Sequence, residues 1–422
     1  MGITKRTWKI IKSVFLFLYI ILIFVFELLY RESLFEKSLK IEKNYFDNKS
    51  TPAQINYFKF ITNFGTQGVL IPLLLLVFFL FPLSKSYTFL SVVVLASYFD
   101  NVLKIVYGSP RPFWKDKEIF RVCDGGYGNP SGHSFSSFSV YLSFWNIITS
   151  YDFFTKTTSG IVLKLLLFVI MVGLSVVIVI SRICLSVHAI NQIIFGGFLG
   201  FALYFYFFHV IELDKFNGKK LCEYITEIRF LIFHSVKYLV YFAVMLLLYL
   251  YRSNDESTYE DVIKELCPHL RNYRKYNNDA FFIGLVLFYL IGAHYGLYFL
   301  FQISKIQYPD RENQINNWYK GNVCQFLYKV ILFIPFNFCF VMFLLVRHDE
   351  CLWRHFIFGL VLPYFFTGGL MFGPFILSSI RCRITNEDLY RFDLPVTTEG
   401  DISVSEKERN VEIEISIKHN KK

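Results

Sequence analysis

The chain has 422 residues, 54% of them hydrophobic and 20% aromatic, with a formal net charge of +10. Soluble domains hold about 45–50% apolar residues and few long apolar runs; several runs here exceed the ~18 residues that cross a bilayer, which excludes an ordinary soluble globule. The basic residues are dispersed between those runs, so the charge reads as flanking of membrane spans and not as a nucleic-acid surface.

The chain starts MGITKRTWKIIK, with Lys5, Arg6, Lys9 and Lys12 and no acid, and runs into an apolar stretch at 13–30. Neither a short apolar core nor a small-residue cleavage site is evident, so this reads as a retained first span. Gly2 does not begin a myristoylation pattern, because position 6 is Arg. Residues 31–64 are mixed-charge and are expected to form a loop, which holds one sequon, Asn48-Lys49-Ser50. Spans are expected at 66–83 and 87–107, and the latter carries Asp100, Asn101 and Lys104 near its end. Asp100 precedes Lys104 by one helical turn, the favourable orientation for an ion pair.

Residues 108–132 form a Gly- and Pro-containing loop, and a fourth span begins at His133. Ser131 precedes that helix start, so its first backbone N–H groups point to the loop and form an anion site. The fifth span covers 161–180, the run SRICLSVH follows, and the sixth covers 189–211. Further spans are expected at 230–251, 280–303, 323–346 and 355–380, with the longest polar loop at 252–279. The charged tail from 381 to 422 is expected to be largely disordered. About ten spans make an all-α, polytopic membrane helix bundle, since backbone in lipid must satisfy itself internally. Eight scattered cysteines show no CxxC pair and no zinc spacing. Several lie in loops on one side, which allows a disulfide whose pairing is not readable.

Three polar runs sit at the lips of apolar segments and fall on one membrane face: KIVYGSPRP, NPSGHS and SRICLSVH. They bring Lys104, Arg111 and Arg182 as cations and His133 and His188 as proton-active or nucleophilic groups. Any one such residue is ordinarily snorkelling or structural; three ordered runs on one face are not a coincidence of that kind. Cations that clamp equatorial oxygens, Arg in bidentate fashion, stabilise phosphoryl transfer. The backbone N–H groups of Ser131 and Gly132 are expected to add to the cradle. One neutral imidazole is then placed to attack phosphorus while the other protonates the leaving oxygen. No carboxylate cluster points to a metal, and no cofactor is expected.

Lys104 and Arg111-Pro112, Pro130-Ser131-Gly132-His133, and Ser181-Arg182 with His188 resemble the three-part signature of the type-2 phosphatidic acid phosphatase/vanadium haloperoxidase superfamily. The resemblance covers roughly residues 66–211. It implies that His188 is the nucleophile and His133 the general acid. Lys104, Arg111, Ser131, Gly132 and Arg182 would bind phosphate, and hydrolysis would be metal-independent. It divides the chain into a six-span phosphatase core at 1–211 (signature 104–192), a four-span region at 212–380 and a polar tail at 381–422. One position departs from the pattern: Gln192 stands where the superfamily usually has an Asp that orients the nucleophile. A Gln carbonyl fixes the tautomer but adds no charge.

Glucose-6-phosphatases are similar in carrying Gln there, in the C-x-x-G-x-G-x run matched by Cys123 to Asn129, and in a motif like Arg111-Pro112-Phe113-Trp114. The six-span core with Lys104 closing the third span is similar to lipid phosphate phosphatases instead. Extra C-terminal spans are found in sphingosine-phosphate phosphatases. The substrate expected is therefore a phosphorylated lipid or a sugar phosphate, met at the lipid bilayer, with no nucleic acid partner. A catalytically silent homologue acting as a membrane binding or scaffold protein is the alternative that Gln192 leaves open; a transporter leaves the polar runs unexplained. The basic start places Met1 in the cytosol, hence the three runs on the lumenal or extracellular face, with the endoplasmic reticulum or another endomembrane as the expected site.

Overall fold

The computed structural model describes residues 4–49, 51–215, 224, 227–252, 259–268, 280–281 and 283–307, all within the first of two compact units, Met1–Pro374. The expected spans at 323–346 and 355–380 and the tail lie outside the described residues. Among the described residues every regular element is helical. Five helices are long and apolar enough to cross a membrane: Arg6–Tyr45, Ser84–Lys115, Thr158–Cys184, Ile190–Lys215 and Ile228–Arg252. They correspond to the first, third, fifth, sixth and seventh expected spans.

The other two spans of the expected core are built differently. The second is α3, Gln67–Leu80, whose 14 residues reach only about 21 Å, less than the ~30 Å hydrocarbon core. The fourth is broken into α6 (Gly132–Ser136), a π-helical turn (Ser137–Tyr141) and α7 (Leu142–Ile148). The sequence supplies the reason. Ser137, Ser139 and Ser143 each return a hydroxyl to the carbonyl four residues earlier, at 2.6, 2.9 and 2.6 Å, which competes with the helical ladder and bends it.

The expected loop at 31–64 is also helical. The first helix, α1, runs unbroken from Lys5 to Lys49, and α2 follows at Pro52–Thr62. Past the membrane stretch, α1 keeps one inward stripe through Arg31, Leu34, Phe35, Ser38, Glu42 and Tyr45, a helical period that mixed composition disguises. Thr51 then starts α2: its hydroxyl accepts from Gln54 N, while the Gln54 side chain accepts from Thr51 N at 2.9 Å.

At the centre lies α4, Leu83–Tyr107, with Phe89, Leu90, Val92 and Ile105 fully enclosed. Gly108 ends it in the left-handed conformation, φ 53°, with its N–H on the Lys104 carbonyl at 2.9 Å. Lys104 is thereby fixed on the last turn. The remaining helices are α5 (Pro112–Lys115), α8 (Asp152–Lys156), α9 (Thr158–Cys184), α10 (Ile190–Phe205), α11 (Ile228–Arg252), α12 (Glu260–Leu266) and α13 (Leu287–Gln307). α9 presents Val162, Leu165, Leu166 and Val169 outward, as a lipid-facing helix does.

α1 lies antiparallel to α10 in a readable register. Lys12 pairs with Glu212 at 2.8 Å, and the Tyr19 hydroxyl donates to the Phe198 carbonyl at 3.4 Å. The Phe24 and Phe195 rings meet at 5.3 Å, and Ile190 N donates to Ser38 Oγ at 2.6 Å. From Lys12 to Ser38 is about 39 Å at 1.5 Å per residue, enough to cross the bilayer and emerge over the three polar runs.

Candidate active site

The three polar runs converge. Lys104, on the last turn of α4, pairs with Asp100 at 2.8 Å, and both are largely enclosed. Gly132 heads α6 directly opposite: a Cβ there would fall 2.6 Å from Asp100 Oδ2 and 3.2 Å from Lys104 Nζ. Only glycine allows the run at 131–133 to close on the lysine.

Arg111 is buried and anchored to the two other runs. Its Nε donates to the Gly126 carbonyl at 2.9 Å, and Nη1 donates to the Val187 carbonyl at 2.8 Å. Nη2 donates to the Gly125 carbonyl. Arg182, on the last turn of α9, donates from Nη1 to the Thr62 hydroxyl at 2.8 Å. Both guanidinium groups then meet one carboxylate. Asp124 Oδ2 accepts from Arg111 Nη1 at 3.2 Å and from Arg182 Nη2. Burial alone pushes the Asp124 carboxyl up, but Arg111 and Arg182 outweigh it and hold the group well below the usual carboxylate range.

His188 sits beside this pair. Its Nε2 is 3.3 Å from Arg111 Nη1, and its Nδ1 donates to the Gly128 carbonyl at 2.8 Å, with Gln192 Oε1 at 3.3 Å. That bond leaves the lone pair on Nε2, turned to the cations. Burial first, then Arg111 and Arg182, hold this imidazole well below the ordinary 6.5, with Asp124 opposing. The ring is thereby biased toward its neutral form. His133 lies on the other side, its Nε2 buried with no hydrogen-bond partner among the described residues. Its ring rests on Gly65, where a Cβ would come within 2.8 Å of Cδ2.

Gln192 is the third residue of α10, and its Oε1 accepts from Ala189 N at 3.1 Å while Nε2 donates to the Pro110 carbonyl at 2.9 Å. The departure from Asp is thus a helix-start residue that ties all three runs together. Ser131 differs from expectation in one respect. Its N–H donates to the Gln192 carbonyl at 3.0 Å, so that N–H locks the frame of the site and does not form part of a phosphate cradle.

Three contributors escaped the sequence reading. Asp124 stands in the sequence only as a member of the Cys123 to Asn129 run, with no role of its own. Thr62 lay in the supposed loop. Glu27, buried at mid-α1, accepts on one oxygen from Asn129 at 2.7 Å and from Asn191 at 3.2 Å, the residues adjoining Gly128 and Gln192. A span with one acid amid sixteen apolar neighbours carries that signal in principle, because an ionisable group at such depth needs a partner.

The family model described as the PAP2 superfamily matches residues 86–215, the stretch in which the two guanidinium groups and the two imidazoles converge. Residues 86–215 are similar to that superfamily. Among solved structures, the crystal structure of the first transmembrane PAP2 type phosphatidylglycerolphosphate phosphatase from Bacillus subtilis aligns with 24% sequence identity and a TM-score of 0.39, over 48% of this chain and 96% of that chain. No curated protein matches the chain at a significant level. The PAP2 region holds Lys104, Arg111, Asp124, His133, Arg182 and His188; Glu27, Thr62 and Gly65 lie before it.

Proposed function

We propose that the protein is an integral-membrane phosphomonoester phosphatase acting through a phosphohistidine. The observation that carries this is the seating of an anion, the Asp124 carboxylate, between Arg111 and Arg182 and next to His188 Nε2, which accepts from Arg111 Nη1. A substrate phosphate at that place meets Arg111, Arg182 and Lys104, which supply the charge its transition state requires. His188 Nε2 attacks phosphorus, the P–O bond to the leaving group breaks, and His133 gives its proton to the departing oxygen. Water, deprotonated by His133, then cleaves the P–N bond, releasing inorganic phosphate and restoring both rings.

The substrate class is a lipid phosphate or a sugar phosphate resembling glucose 6-phosphate. The Cys123–Cys267 disulfide lies on the site's face and supports an oxidising compartment there, lumenal or extracellular. The test is vanadate-sensitive phosphate release from purified protein offered glucose 6-phosphate and lipid phosphates side by side. His188→Ala should abolish release, while His133→Ala should still form phosphoenzyme from a substrate with a good leaving group. Retained turnover in His188→Ala would refute the assignment. Loss of activity with EDTA and its return with a divalent ion would refute metal-free chemistry. Binding of phosphate without turnover on any substrate would make the protein a silent homologue.

A further inference from the structure

We propose that Asp124 is a built-in competitor for the phosphate position and sets the affinity of the site for phosphoryl dianions. The proposal rests on the phosphatase reading above and concerns the same site. One carboxylate oxygen takes both guanidinium groups, from Arg111 13 positions before it and Arg182 58 positions after it. Those are the donors a substrate phosphate requires, so carboxylate and phosphate cannot hold them together.

Charge states the same conclusion. Lys104, Arg111 and Arg182 bring three positive charges, and Asp100 and Asp124 two negative ones, leaving one positive charge. With the Asp124 carboxylate turned out, two positive charges remain, matching a phosphomonoester of about −2. With it turned in, a dianion meets a like charge at contact distance, which opposes binding.

The segment that carries Asp124 is built for a swing. Residues 120–128 have no helix, and the Asp124 side chain is 30% exposed while its two partners are 3% and 5% exposed. The neighbour on one side, Cys123, is fixed to Cys267. On the other, the Gly125 and Gly126 carbonyls accept from Arg111. Backbone held on both sides leaves side-chain rotation as the available movement, and it carries the carboxylate toward solvent without dismantling the Arg111 anchorage. A weak site for free phosphate follows, since orthophosphate has no leaving-group contacts with which to offset the displacement.

The experiment is titration of detergent-solubilised full-length protein with orthophosphate, read by calorimetry and by thermal shift. Asp124→Asn keeps the shape of the residue and removes the charge. It should bind orthophosphate at least tenfold more tightly than wild type and show a lower melting temperature without phosphate. The phosphate-induced rise in melting temperature should be larger than in wild type. Asp124→Ser, with less bulk, is the second neutral variant and should shift affinity the same way, whereas Asp124→Glu should stay within a few-fold of wild type. If both neutral variants bind as wild type does, or less tightly, while Arg182→Gln abolishes binding, the phosphate site stands and the competitor role is refuted. If wild type and both neutral variants neither bind orthophosphate nor release it from any phosphomonoester, the phosphatase reading and this proposal fall together.

Discussion

His188 Nδ1 lies 2.8 Å from the carbonyl oxygen of Gly128, closer than its 3.3 Å approach to Gln192 Oε1. A backbone acceptor therefore fixes the tautomer, and the residue at 192 holds the surrounding frame. On the proposed mechanism, the Gly128 carbonyl takes over the orienting role of an Asp there. Gln192→Leu should lower kcat by about 10- to 100-fold, the range for removal of a supporting partner, with the His188 tautomer kept. Gln192→Asp should retain turnover within a few-fold of wild type, since Gly128 still orients the ring. Inactive wild type with turnover restored by Gln192→Asp would show that orientation by Gly128 is insufficient.

The pH profile gives an independent check. The attacking ring must be neutral, and burial with Arg111 and Arg182 depresses its protonation, so His188 stays neutral as pH falls through 6.5. On an alkyl phosphomonoester, the acid limb of log kcat/KM should reflect only the second ionisation of the substrate, about pH 6, with a slope of one. A slope approaching two in that range would mean that His188 titrates there as well.

The residues proposed as nucleophile, acid and cations stand out in the sequence because ionisable residues at the lips of apolar runs are costly unless used. Their number and order carried the rest. Asp124 was not legible, since its partners are Arg111 and Arg182 and nothing near it in sequence separates it from a solvated acid. The helical extension of α1 was missed for a related reason. Its inward stripe includes Ser38 and Glu42, so the periodicity is one of burial and not of hydrophobicity. The short second span and the broken fourth follow from local chemistry, 14 residues in α3 and serine back-bonding in α6 and α7, that a count of apolar residues does not register.

Glu27 offers a test of a carboxylate acting at one remove. It reaches no ring of the site, yet its one oxygen holds both Asn129 and Asn191. Glu27→Ala should lower kcat about 10- to 100-fold and reduce thermal stability, leaving two buried amides without their acceptor. Glu27→Gln, presenting its carbonyl oxygen to the same two donors, should recover most of the activity. Failure of Gln to rescue, with a normal melting temperature, would show that the negative charge itself is what the site uses.

The disulfide makes a stability prediction that does not depend on catalysis. Cys123 and Cys267 are 144 positions apart, so the link closes a long loop and restricts the unfolded chain. Cys267→Ser should destabilise the protein by about 2–4 kcal/mol, read as a lowered melting temperature. Dithiothreitol should lower the wild-type melt toward that of the variant and leave the variant unmoved. A reducing agent that moves both equally would mean that the effect lies elsewhere.

Sidedness ties the last of these features together. α1 enters at Lys12 beside Glu212 and emerges at Ser38 beside Ile190, so Glu212 and Ile190 face opposite sides of the membrane. The site, the disulfide and the far end of α1 share one side. Lys12, Glu212 and α8 with Lys156 share the other, because α9 begins at Thr158 and ends at Cys184 by the site. The proposed lumenal or extracellular site puts the Lys12 side in the cytosol, in keeping with the basic residues Lys5, Arg6, Lys9 and Lys12. Asn48, on the last turn of α1, lies about 30 Å along the helix from Glu27, well clear of the bilayer and within reach of a lumenal glycosyltransferase. Expression in a eukaryotic membrane should give a glycosidase-sensitive mass shift that Asn48→Gln removes. A membrane-impermeant maleimide should label Lys156→Cys above the wild-type background only when the cytosolic face is open. Labelling of Lys156→Cys from the lumenal side, with no shift at Asn48, would invert the topology and move the site to the cytosol.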